Sequence, residues 1–359
     1  SYTIDVYRHR VKPVSHFGKF ALYVSFFPQL VAGPIERPDR LLQQFFEKRG
    51  FNMRMAQEGV LLMLWGYFKK VVIADNIAPY VNAVYSDPSG FPGPTLAFAT
   101  FLFAYQIYCD FSGYSDIARG TAKILGYDLM KNFDRPYAAS SVTDFWRRWH
   151  ISLSSWFRDY VYVPLGGRDR GTLTTYRNLM ITFLLSGLWH GANWTFVIWG
   201  GLNGIYLVCE RVGARVFKKY LVSPSLILPR VAYGAMRHVF VFILIGLTWI
   251  FFRAQTTADA LYILTSIPTG IGSFIAALGS EAGRLHVLAM DLGWKGLVIG
   301  LVAIVVLEVT DHLQTRYAFA TKLAHTHIFP RIVIYATATC AIILLGAFGT
   351  PQQFIYFQF

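Results

Sequence analysis

Charge is scarce in this 359-residue chain: Asp, Glu, Lys and Arg supply 15% of it, against 54% hydrophobic and 17% aromatic residues. That leaves too little polar surface for a water-soluble fold of this length, so the natural solvent is lipid. Acidic residues are scarcer still, 20 against 33 Lys and Arg, and the excess gathers in short polar stretches such as Arg168 to Arg177 and Arg211 to Lys219. Loops facing an anionic inner leaflet carry charge in that way. A nucleic-acid partner would need a basic face, and here the cations lie between apolar runs, which argues against it. Three cysteines, Cys109, Cys209 and Cys340, lack metal-ligand spacing, so neither a disulfide framework nor a metal site is expected. Gly-x-Ser-x-Gly, P-loop and dinucleotide motifs are absent, which removes support for hydrolase, ATPase and dehydrogenase readings and for a bound nucleotide cofactor. The opening Ser1-Tyr-Thr-Ile-Asp-Val-Tyr-Arg8 has neither the basic n-region nor the apolar h-region of a secretory signal, and is expected to lie inside a longer protein with further N-terminal helices. No repeat or linker divides the chain, so a single domain over 1–359 is expected.

What is present are apolar runs measured against a bilayer core of about 30 Å, or about 20 residues of helix. Val231 to Phe252, interrupted by Arg237 and His238, and the 17 uncharged residues between Arg331 and Gly349 read as spans. Leu297 to Thr310, Thr95 to Cys109 and Gly59 to Phe68 are shorter or interrupted and read as tilted helices inside a bundle. Asn178 to Cys209 runs for 32 residues without Asp, Glu, Lys or Arg and holds one histidine, His190. One helix of that length would reach roughly 48 Å at 1.5 Å per residue, so the run must break, and Gly187, Gly191 and Asn193 supply the break. Irregular backbone at membrane depth is tolerated where it lines a cavity, which puts His190 in one. Residues 142 to 165 mix Trp146, Trp149 and Trp156 with Arg147, Arg148 and Arg158, as expected of a helix at headgroup level that Asp144 caps.

Ionisable groups inside membrane segments are costly and so point to function. His190 can take a proton from an alcohol and return it to a leaving thiol, because a neutral imidazole titrates near working pH. A hydrogen-bonded core histidine is the competing reading. His150, where the amphipathic segment meets the membrane, is either an ordinary interfacial histidine or a second member of the site. Asp110-Phe-Ser-Gly-Tyr-Ser-Asp116 offers too few oxygen ligands for calcium. Asp110 and Ser112 read either as helix-capping groups or, with Asp116, as the lining of an acceptor path. Arg119, Lys123, Arg147, Arg148 and Arg158 suit the phosphates of an acyl donor or a solvated cytoplasmic face. The other seven histidines, among them His238, His286, His312, His325 and His327, read as structural or loop residues.

Four blocks, Phe27-Pro-Gln-Leu-Val-Ala-Gly-Pro-Ile35, Asp110 to Asp116, Asp144-Phe-Trp-Arg-Arg-Trp-His150 and Ser186-Gly-Leu-Trp-His-Gly-Ala-Asn-Trp194, resemble the signatures of the membrane-bound O-acyltransferase (MBOAT) family. They most resemble its bacterial branch containing the alginate O-acetylation membrane subunit, and the ending Phe354-Ile-Tyr-Phe-Gln-Phe359 fits as well. The resemblance implies an all-α, polytopic fold in a bacterial cytoplasmic (inner) membrane, with a ring of helices around a tunnel. It implies His190 as catalytic and His150 as a second essential residue. Asp110, Ser112, Asp116, Asp144, Trp146, Arg147, Trp149, Trp189 and Asn193 are then expected to line the tunnel or hold substrate. The implied donor is an acyl thioester, acetyl-CoA or an acyl carrier, arriving from the cytoplasm. The implied acceptor is an extracytoplasmic polysaccharide, served by a periplasmic or extracellular acetyltransferase partner. D-alanyl transfer to teichoic acid and acetylation of peptidoglycan or cellulose are the alternatives within the class. A transporter would call for inverted repeats, which are absent, and a scaffold would not need an uncharged break around a histidine.

Overall fold

The computed structural model describes residues 1–169, 171–220, 230–317, 328–349 and 352–355, with backbone alone for 216–220, 230, 231, 315–317 and 328. His325, His327 and the last four residues of the C-terminal block lie outside them. The described residues form helices and no strand. In chain order these are α1 (Tyr2–Tyr7), α2 (Phe17–Ser25), α3 (Met53–Tyr67), α4 (Asp75–Ser86), α5 (Gly93–Ile124), α6 (Val142–Arg148), α7 (Ile151–Phe157), α8 (Thr172–His190), α9 (Trp194–Tyr220), α10 (Arg230–Arg253), α11 (Thr257–Ser266), α12 (Ile271–Ala277), α13 (Glu281–Ala289), α14 (Lys295–Tyr317) and α15 (Ile328–Leu345).

Among the described residues, two helices are long and apolar enough to cross a bilayer, within Ala232–Arg253 and Lys295–Gln314, and the bent pair α11 and α12 would add a third. The span expected near 231–252 is therefore present. Lys295–Gln314 exceeds the short tilted helix expected there, because the helix runs on through Glu308 and Asp311. Where a span is expected after Arg331, the described residues hold a shorter apolar helix, Phe329–Leu345, which ends at a bend at Gly346. Val298, Val302, Val305 and Val309 on α14 stand exposed at three- and four-residue spacing, as do Met236, Val239, Phe240 and Ile243 on α10. An apolar outer face is stable in lipid and not in water.

The described residues fall into two compact units, each assembled from separate stretches of chain. The first holds 1–76, 107–132 and 299–358. Here α3 and the second half of α5 run antiparallel with their backbones in contact: a Cβ on Gly59 would lie 2.5 Å from the Gly120 carbonyl oxygen, and one on Gly66 would lie 2.6 Å from that of Gly113. Glycines seven apart on both helices keep this seam open for two turns, the small-residue packing that lipid favours. Beside it sit buried charges. Lys69 reaches Asp116 at 2.6 Å and donates to Ser112 at 2.9 Å, while Lys70 bridges Asp110 at 2.6 Å and Asp75 at 2.8 Å. Asp110 also accepts the Ile355 N–H at 2.7 Å, which fixes the C-terminal segment to α5.

The second unit holds 77–106 and 133–298. Its centre is the antiparallel hairpin of α8 and α9, where a Cβ on Gly187 would strike the Phe196 carbonyl and one on Gly200 that of Phe183. The break expected in Asn178 to Cys209 is thus present, at Gly191–Asn193, and Asn193 caps the second arm by accepting the Thr195 N–H at 3.1 Å. The single amphipathic helix expected over 142–165 is instead two short helices. Trp149 leaves helical geometry with φ −101° and ψ 128°, and its buried ring is held edge-on by Phe133 and against Trp249, so the chain turns there.

Candidate active site

His150 and His190 both belong to the second unit and meet around Trp189. The Trp189 ring centroid lies 4.9 Å from that of His190 and 6.4 Å from that of His150. His190 is the last residue of α8, just before Gly191, whose φ of 169° is extended backbone. Edge-to-face aromatics wall its ring: Trp199 of α9 at 5.0 Å and Phe252 of α10 at 5.2 Å. Such walls fix a ring's orientation while leaving its nitrogens as its only polar groups.

His150 reaches the site by a different route. It is buried and sits between α6 and α7 with φ 42° and ψ 55°, the left-handed region that side chains other than glycine enter at a cost of about 1–2 kcal/mol. A stacked Phe133 ring lies 6.4 Å away. Trp149, directly before it, is buried among Phe145, Phe133 and Trp249, so the residue preceding the turn cannot rotate freely.

The other expected site residues divide. Trp146 is half-buried and touches Trp199, so it supports the wall of His190 from behind. Asp144 instead organises the start of α6, accepting the Ser140 N–H at 3.2 Å and pairing with Arg148 at 2.8 Å. Arg147 is exposed. Asn193 caps α9 and donates to the Gln255 carbonyl at 3.4 Å. Asp110, Ser112 and Asp116 belong to the first unit, where Lys69 and Lys70 occupy them. Sequence reasoning passed over those lysines, although two cations interrupting an apolar run are themselves a signal of buried partners. It also passed over Trp199 and Phe252, which apolar runs hide among ordinary packing residues.

The profile of the membrane-bound O-acyltransferase family, MBOAT, matches residues 5–256, a stretch that contains both histidines and all four sequence blocks. A probable alginate O-acetylase AlgI of Azotobacter vinelandii is 44% identical over 257 residues, 71% of this chain and 48% of that protein. A protein of the same name from Pseudomonas putida is 34% identical over an alignment covering 100% of this chain and 72% of the relative. A peptidoglycan O-acetyltransferase of Helicobacter pylori is 39% identical over 76% of this chain and 50% of its own length. The chain therefore spans about half the length of two of these relatives. An all-helical architecture with apolar outer faces, two histidines gathered at a helix break and a family profile over most of the sequence lead to one assignment: this chain belongs to the membrane-bound O-acyltransferase family.

Proposed function

We propose that this chain is the membrane core of an O-acyltransferase that moves an acyl group, acetyl in our reading, from a cytoplasmic thioester to a hydroxyl destined for an extracytoplasmic polysaccharide. The observation that carries the proposal is the meeting of His190, Trp189 and His150 at the broken α8–α9 hairpin. In this reading His190 takes the proton from the acceptor hydroxyl, the oxygen bonds to the acyl carbon, the carbon–sulfur bond breaks and the proton passes to the departing thiolate. His150 positions donor or acceptor. Acetyl-CoA and an acyl carrier both fit as donor, and a periplasmic or extracellular acetyltransferase completes transfer to the polymer. Alginate as acceptor draws support from relatives bearing that name at 34% to 44% identity. Peptidoglycan draws support from the Helicobacter relative. Residues 1–359 act as one domain in the bacterial inner membrane, with Trp146, Trp149 and Trp189 around the reacting groups.

The test substitutes His190→Ala in the full protein and measures polymer-bound acetate and membrane-fraction protein in the same cells, with His312→Ala as control. Loss of a general base typically costs 10² to 10⁴-fold in rate, so acetate should vanish while protein persists. Unchanged acetate, or acetate that falls only in step with protein, would remove His190 from the mechanism.

A further inference from the structure

Left-handed backbone at a bulky residue persists only when its surroundings hold it there, which raises the question of what holds the α6–α7 turn at His150. On the C-terminal side, α7 begins at His150 without a side-chain cap, and the Ser154 hydroxyl donates back across the turn to the Trp149 carbonyl at 3.1 Å. The N-terminal side is tied to two other helices of the same unit. Arg237 of α10 donates to the Ser140 carbonyl at 3.1 Å, and His238 Nδ1 lies 3.0 Å from that of Ala139. Glu210 of α9 accepts the Thr143 N–H at 2.9 Å. Thr143 is in the first turn of α6, where backbone donors have no partner within the helix and a carboxylate also meets the positive end of the helix dipole. Ser141, the residue that caps α6, takes the Asp144 N–H at 3.0 Å, so the cap and one side chain of α9 together satisfy this turn.

Glu210 shares its helix with Trp199, the ring against His190. Eleven residues separate them, roughly 16 Å of α-helix at 1.5 Å per residue. One rigid helix thus touches His190 near its start and holds, further along, the short helix that leads into His150.

We propose that Glu210 is a positioning residue that sets the placement of His150 relative to His190 by anchoring the first turn of α6. The proposal rests on the reading above that His150 serves the reaction. Its chemistry needs an acceptor oxygen at Glu210 and does not need the charge. A misplacement of about 1 Å at a reacting group can cost on the order of 100-fold, so loss of this anchor should act on turnover.

The experiment uses the full protein reconstituted in bilayers, with acyl transfer from an acetyl thioester measured for Glu210→Ala, Glu210→Gln, His150→Ala and the double variant Glu210→Ala/His150→Ala. Glu210→Gln keeps an acceptor oxygen and should stay within about threefold of the native rate. Glu210→Ala should lose about 10- to 100-fold in kcat with donor KM nearly unchanged and normal membrane abundance. Residues acting through one another are not additive, so the double variant should be no worse than His150→Ala alone. Multiplying losses in the double variant, native kcat in Glu210→Ala, or a Glu210→Gln as slow as the alanine would each overturn the positioning role. Full activity in His150→Ala would instead sink the underlying reading of His150, and the positioning role with it.

Discussion

His286 faces oxygens that can only accept: Asp291 Oδ2 lies 2.8 Å from Nδ1, and the Gly90 carbonyl lies 3.2 Å from Nε2. Both nitrogens can donate at once only in the imidazolium form. The hydrogen bond to Asp291 raises its pKa above the ordinary histidine value, so the clasp is fully stabilising below about pH 6.5 and is lost as pH rises through the raised value. Solvent screens much of the effect, because the side chain is 42% exposed. Limited proteolysis should find the 87–92 turn more readily cut at pH 8.5 than at pH 6 in the native protein, and equally cut at both in His286→Gln. At His150 the backbone makes a separate prediction. Asparagine enters the left-handed region more readily than alanine, so His150→Asn should accumulate at least as well as His150→Ala while both lose transfer activity. Higher accumulation of the alanine variant would show that the turn relaxes. His190 was legible in the sequence because glycine and asparagine marked the break beside it. The lysine partners of Asp110 and Asp116 were not paired with them there, since residues 40 to 47 positions apart leave no local pattern.

Among the helices, the α3–α5 seam depends on four positions where any Cβ meets facing backbone. Gly66→Val should force the helices apart and cut the folded fraction sharply, as overpacking of a close interface costs about 1–3 kcal/mol or more. Gly213, with open space around its Cβ position, should tolerate alanine. Measuring detergent-extracted monomer by fluorescence-detected chromatography for the two variants checks this, and equal recovery would contradict the seam. The α8–α9 hairpin could be read from length alone, because no single helix fits 32 uncharged residues. The α6–α7 turn could not. Its tryptophans and arginines have the spacing of one interfacial helix, and the turn comes from packing of Trp149 against Trp249, 100 residues away in sequence.

For the molecule as a whole, the membrane assignment followed from composition, while the order of pairing between distant segments did not. The cysteines offer a direct check. Cys340 stands exposed on the apolar helix α15, whereas Cys109 is buried. A lipid-soluble maleimide should modify Cys340 in intact membranes, a charged maleimide should not, and Cys109 should resist both until the protein is unfolded. Labelling of Cys340 by the charged reagent would place α15 in water.

The Lys–Asp cluster of the first unit also has a history in time. Asp110 enters the translocation machinery 245 residues ahead of Ile355, the backbone donor that completes its shell. Until then the growing chain offers this carboxylate its ion pair with Lys70, and the arrival of Ile355 adds the backbone donor. Membrane insertion and completion are thus separate events for this protein: a nascent chain with α3 to α5 already in the bilayer still lacks the backbone donor that Ile355 later brings to a buried acid.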